Sequence, residues 1–176
     1  MIIINNSIQL KNFGKYKLVT ALNTFDNRSQ PIFVSTIKDN DKFKTILIDN
    51  KNNIVGINSF QIYQNIFNGC NMNTLINHNT HTGLGEIMRL TSIIDMLENN
   101  LNKIQILSIS NAIPFHTKYK FKPINYASAT TNNKIFETSK INYNKDLPME
   151  LTAKDIKADK RFFNQLFAKH KIDYRI

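Results

Sequence analysis

The residues best suited to chemistry in this 176-residue chain fall into two short segments. In the first, Thr82-Gly83-Leu84-Gly85-Glu86 stands directly before the clearest helical periodicity in the sequence. The first turn of a helix leaves main-chain N–H groups without partners, and the aligned peptide dipoles add partial positive charge, so an anion is held there without a basic side chain. Glycines let phosphate oxygens approach such a backbone closely. The second segment runs Ser110-Asn111-Ala112-Ile113-Pro114-Phe115-His116-Thr117-Lys118-Tyr119-Lys120-Phe121-Lys122-Pro123. Three of the four histidines, His78, His81 and His116, lie in or beside these segments. An imidazole, with an unperturbed pKa near about 6.5, gives or takes a proton around neutrality. No carboxylate occurs between Asp49 and Glu86, so histidine is the proton carrier at hand. His78 and His81 have no evident third ligand, and no metal site is expected. Nothing in the sequence sets a base beside Cys70, which reads as a buried structural thiol.

The second segment is similar to a signature of the GNAT (GCN5-related) N-acetyltransferase family, in which an Asn, a small residue and then Phe-Tyr-x-Lys-x-Gly-Phe follow the fifth strand. Thr80-His81-Thr82-Gly83-Leu84-Gly85 correspondingly resembles the family's Arg/Gln-x-x-Gly-x-Gly/Ala. The resemblance covers residues 44–123. It implies an α/β fold with a mixed sheet, a GNAT-like acyl-CoA N-acyltransferase fold whose fourth and fifth strands splay apart to admit acetyl-CoA. Pantetheine would then pair with the main chain of Thr74, Leu75 and Ile76. The pyrophosphate would rest on the amides of Thr82, Gly83, Leu84, Gly85 and Glu86, with Asn111 and Phe115 on the other wall and Lys118 near the phosphates.

Three departures stand out. Thr80 replaces the family's Arg or Gln, His116 replaces the Tyr that protonates the departing thiolate, and Lys120 replaces the Gly before the final Phe. The resemblance therefore makes His116 the expected general acid, and either His78 or His81 the base that deprotonates a primary amine. The same departures support an alternative, a CoA-binding regulatory or interaction module with this fold and little catalysis. The acceptor, whether small molecule, protein or aminoacyl-tRNA, is not legible.

The elements that must position these residues begin with strands. Runs at Tyr16–Leu22, Ile32–Ile37, Lys44–Asp49 and Ile54–Tyr63 carry β-branched and aromatic residues, separated by the polar clusters Asp26–Pro31 and Asn50–Asn53. A further strand is expected at Asn73–Asn77, after an Asn68-Gly69 break. From Leu84 to Leu97 the apolar residues recur at three and four, the face of an amphipathic helix. A strand at Lys103–Ile109 follows, then a short helix over Asn111–Tyr119 with Pro114 in its first turn. Strands are expected at Lys134–Glu137 and Pro148–Leu151, and Thr152 with Asp155 forms a capping box for a last helix. The β-rich N-terminal half, the core motifs at 44–123 and a C-terminal helical extension over 152–171 read as one domain. The two helices that usually follow the family's first strand are not evident.

Composition narrows the class. The chain is 41% hydrophobic and 20% charged, values of a folded globule. A net charge of +10 favours encounter with anions. The Lys and Arg residues are nevertheless scattered, without interleaved aromatics, so nucleic acid is a possible but not favoured partner. A single cysteine excludes an internal disulfide and points to a reducing, cytoplasmic setting. Met1–Ile4 lacks a basic leader, and no apolar run is long enough to span a membrane. A homodimer is compatible with the apolar face of the last helix.

Overall fold

The computed structural model describes residues 17–73, 80–124 and 146–176. Among these residues eight strands form one sheet in the order β1-β2-β3-β4-β5-β6-β8-β7. They are β1 (Lys17–Phe25), β2 (Pro31–Asp39), β3 (Lys42–Asp49), β4 (Ile54–Tyr63), β5 (Ile66–Asn73), β6 (Lys103–Ser108), β7 (Lys122–Pro123) and β8 (Leu147–Thr152). The first five make an antiparallel meander, and among the described strands only β5 and β6 are parallel. Helix α1 (Leu84–Glu98) crosses between them, as a parallel connection requires. A short 3₁₀ turn (Ser110–Ala112) leads into α2 (Ile113–Lys118), and α3 (Ala153–Ala158) and α4 (Lys160–Lys169) follow β8. Among the described residues no helix is long and apolar enough to cross a membrane.

Local chemistry sets the turns. Gln64 and Asn65, at φ 48 and 63, close the β4–β5 hairpin with two left-handed residues, the combination that matches strand twist. Asn40 and Asn52 take φ 52 and 64 in the two preceding hairpins. Asp39 pairs directly with Lys42, so β2 passes to β3 through two residues, leaving no room there for helices. The strand expected at Asn73–Asn77 is corrected in part: β5 starts at Ile66 and runs through Gly69, which pairs with Phe60. Residues 74–77 and the strand expected at Lys134–Glu137 lie outside the described residues.

Helix α1 is buried more completely than an amphipathic reading implies. Leu84, Ile87, Met88, Leu90, Ile93 and Met96 are buried, each worth about 1.5–3 kcal/mol. Glu86, Arg89, Thr91, Ser92 and Asp95 on its polar side are buried too. One face lies on the sheet, where Asn58 donates to Ser92 Oγ at 3.0 Å and a Cβ on Gly56 would collide with Met88. The C-terminal segment covers another face, with Tyr174 donating to Glu98 and Lys169 and His170 reaching Glu86. The single final helix expected from sequence is two, broken at Asp159. Thr152 caps α3 by accepting from the Asp155 N–H at 3.0 Å.

Candidate functional site

Beyond one rung of the sheet, β5 and β6 part company. Ile66 to Gly69 pair with Lys103 to Ile106, after which, among the described residues, Leu107 and Ser108 pair with β8 alone and Asn71 to Asn73 with β4 alone. An opening between neighbouring strands results, and the start of α1 follows the end of β5 in the chain.

Gly83 is the N-cap of α1 at φ 84, a left-handed conformation that favours glycine. Among the described residues nothing accepts a hydrogen bond from the main-chain N–H of Gly83, Leu84 or Gly85. The expectation of five free amides is narrowed. Thr82 donates its N–H to Asp26 Oδ2 at 3.3 Å, and Glu86 donates to the Gly83 carbonyl at 3.0 Å. The nest is walled on one side by Asn27, whose amide would lie 2.6 Å from a Cβ on Gly83. On the other side stands Phe115, whose ring would lie 3.3 Å from a Cβ on Gly85.

His81 stands behind this segment. It is 3% exposed, with Nδ1 3.1 Å from Asp26 Oδ2 and Nε2 3.7 Å from Asp49 Oδ2. Burial pushes the Asp26 carboxyl up, but N–H groups of Gln30, Arg28 and Thr82 and the His81 ring outweigh it and leave the pKa below the ordinary range. Asp49 is likewise lowered: burial opposes the shift, while the side chain and N–H of Asn53, the N–H of Lys51 and the nearby His81 carry it. These contacts tie the β1–β2 and β3–β4 turns to the entrance of α1.

The Glu86 side chain turns inward, away from any anion at the nest. It accepts from the Tyr119 hydroxyl, from Lys169 Nζ and from His170 Nε2. Burial raises its pKa, yet those three donors together bring it to about 2. Tyr119, raised by burial and by this carboxylate, has no loose hydroxyl to offer.

His116 is also 3% exposed, but its surroundings are a cation and rings. Among the described residues its Nδ1 has no hydrogen-bond partner, Phe115 and Phe121 stand edge-on at 5.1 and 5.6 Å, and burial followed by the Arg89 charge lowers its pKa to about 3. A neutral imidazole results at physiological pH. Lys120, where the resembled family has Gly, takes φ 68 and ends α2 in a Schellman arrangement: Lys120 donates to the Thr117 carbonyl and Phe121 to that of His116.

Asn111 is exposed, Phe115 half-buried, and Lys118 exposed with Nζ 5.4 Å from the Tyr119 ring centre. The structure thus gathers Gly83, Leu84, Gly85 and Phe115 at one helix end, with Thr82 and His81 turned to Asp26. Among the described residues no hydrogen bond joins His81 to His116. Leu75, Ile76 and His78 lie outside the described residues, and no group of three or more His, Cys, Asp or Glu residues among those described is placed to hold a metal. Sequence reasoning missed Asp26, Asn27 and Arg89. The polar cluster after Asp26 signalled only a turn, and the apolar spacing of 84–97 says nothing of Arg89.

No family model matches the sequence, and no curated protein matches it. Solved structures do match the fold. A candidate acetyltransferase from Exiguobacterium sp. 255-15 superposes with a TM-score of 0.51 at 9% identity, over 70% of this chain and 71% of that one. Tetrahymena GCN5 gives 0.47 at 15% identity, over 65% and 69%. A GNAT family acetyltransferase from Elizabethkingia anophelis with acetyl-CoA bound gives 0.47 at 13% identity, over 64% and 76%. The eight-stranded mixed sheet superposes on the Exiguobacterium structure, and the chain has the GNAT-like acyl-CoA N-acyltransferase fold.

Proposed function

We propose that this chain is an N-acetyltransferase that moves an acetyl group from acetyl-CoA to a primary amine by direct transfer. One observation carries the reading: three main-chain N–H groups, at Gly83, Leu84 and Gly85, unpartnered among the described residues, at a left-handed N-cap beside an open strand pair. Such a nest suits a diphosphate, and the opening suits an extended amide-bearing arm. Positioning of thioester and amine supplies much of the rate in such a reaction. Leu75 and Ile76 would pair with pantetheine, Asn111 and Phe115 would wall the cofactor, and Lys118 would attend its phosphates.

Histidine enters in two ways. His116 approaches the departing sulfur as a neutral imidazole, offering a ring N–H rather than an imidazolium. His81, with its ring nitrogens toward Asp26 and Asp49, holds the glycine segment in place. Removal of the acceptor's proton then rests with His78 or solvent. The test is thiol release from acetyl-CoA across a panel of amines, together with native mass spectrometry of the purified protein. Amine-dependent release and a retained CoA mass are expected; neither appearing would defeat the reading.

The non-catalytic alternative has its own observation. His116 is held neutral, and the Tyr119 hydroxyl is committed to Glu86, so neither is a ready acid. Retained CoA without release for any amine would assign the chain to that class.

A further inference from the structure

His170, at the end of α4, is 1% exposed, and its polar groups are committed to two separate elements. Its carbonyl accepts from the Phe25 N–H at 3.2 Å and from Thr24 Oγ1 at 2.7 Å, and its Nδ1 lies 2.6 Å from the Phe25 carbonyl oxygen. Phe25 closes β1, the strand at one end of the sheet order among the described residues. A sheet margin leaves such N–H and C=O groups open, and here one residue takes both. The other ring nitrogen, Nε2, meets Glu86 Oε1 in the first turn of α1. One imidazole thus spans from the end of β1 to the start of α1. Both of its anchor points adjoin the nest. Asn27, two residues past Phe25, walls Gly83 and donates its N–H to the Thr82 carbonyl at 2.9 Å, and Glu86 follows Gly85 directly.

We propose that His170 is a positioning residue for the diphosphate: by bridging β1 and α1 it sets how far the Asn27 wall stands from the N–H groups of Gly83, Leu84 and Gly85. This rests on the acetyl-CoA reading of the nest. Main-chain donors hold an anion well only when they converge on it without having to move, so a small shift of one wall weakens all of them together. Two fastenings prevent that shift. The Asp26 carboxylate ties the turn after β1 to the Thr82 N–H, ahead of the glycines, and His170 ties the end of β1 to Glu86, behind them. The glycine segment is thereby held at both ends to one stretch of chain, residues 24–27. Glu86 does not depend on the imidazole for a partner, since Lys169 and the Tyr119 hydroxyl also donate to it. What the ring adds is the bridge, and it comes from the C-terminal extension, outside the segments that resemble the family motifs.

Calorimetry with two probes tests it: coenzyme A, and pantetheine, which lacks the diphosphate. Wild type, His170→Leu and His170→Gln are compared, each checked for folding by circular dichroism. His170→Leu is expected to bind coenzyme A about tenfold or more weakly, while its affinity for pantetheine changes by less than about twofold. His170→Gln keeps a donor for Glu86 and should recover part of the loss. A folded His170→Leu with wild-type affinity for coenzyme A would overturn the proposal, as would an equal fold-loss for both probes, the mark of a general distortion. Should neither variant fold, hydrogen exchange of wild type decides. Coenzyme A should then slow exchange over residues 166–172 together with 82–86, and slowing confined to 82–86 refutes the bridge. A wild type that holds coenzyme A yet releases no thiol with any amine defeats acetyl transfer alone, and the bridge is still judged by affinity. One that binds neither coenzyme A nor inorganic pyrophosphate defeats the bridge as well.

Discussion

His81 and His116 are buried to the same 3%, yet their neighbours are opposites. His81 sits between the carboxylates of Asp26 and Asp49, whereas His116 sits beside the Arg89 cation and between aromatic rings. Depth alone therefore says little about what an ionisable group does. The same contrast recurs among acids. Asp26 is lowered because burial is outweighed by four donors, while Asp95, set deeper, is raised to about 7 because a larger burial penalty is opposed only by the hydroxyls of Thr20 and Thr36. Where main-chain N–H groups converge, a buried charge is tolerated; where only hydroxyls do, the neutral form wins.

Titration should open the widest gap between the two acids. The folded pKa of Asp95 lies above its unfolded value, so its contribution is fully present below about pH 4 and is lost as pH rises towards about 7. The change is on the order of 4 kcal/mol at about 1.4 kcal/mol per pKa unit. Urea unfolding at a series of pH values should show this slope flattened in Asp95→Asn. Asp26 carries the reverse sign: its stabilisation is present above the ordinary carboxylate pKa and fades as pH falls through the lowered value. Asp26→Ala strands N–H groups and a buried histidine, and should cost about 3 kcal/mol at pH 7 in the same assay. A loss under 1 kcal/mol would mean that the Asp26–His81 strut is not what fixes the start of α1.

The two histidines should also separate. His81→Phe leaves the buried Asp26 and half-buried Asp49 carboxylates facing a ring and should cost about 2 kcal/mol. His116→Phe removes an unpartnered nitrogen and should stay within about 1 kcal/mol of wild type. In steady-state kinetics His116→Phe should lower the acetylation rate more than CoA affinity, and equal loss of both would make the residue a wall. The smallest effect belongs to Lys120. Glycine adopts φ 68 without the Cβ penalty, so Lys120→Gly should gain about 0.5–1 kcal/mol, readable as a raised melting temperature.

Local pattern was enough for the elements that carry their own signal. Apolar spacing marked Leu84–Leu97 within one residue of α1, and alternation marked Lys103–Ile109 within one residue of β6. Thr152 and Asp155 announced the α3 cap. Strand β5 escaped because Asn68 and Gly69 read as a break; pairing with β4 and β6 overrides that weak propensity. The glycine pair was legible, but its wiring was not. Asp26 meets Thr82 across 56 positions, and Lys169 and His170 meet Glu86 across more than 80. Such contacts leave no mark on local periodicity, and Arg89 occupies a helix position whose burial only the packing of Phe60 and Phe121 reveals.

The parting of β5 from β6 gives this protein an edge in the middle of its sheet. Past Gly69 and Ile106, each strand is bonded, among the described residues, on its outer side alone. Their facing margins hold donors and acceptors in the state that soluble proteins normally hide at the ends of a sheet. An extended guest with amides of its own completes the ladder. Without one, the same margins are a template for a stray strand from another chain, so the cleft that admits a small molecule is also where self-association would begin.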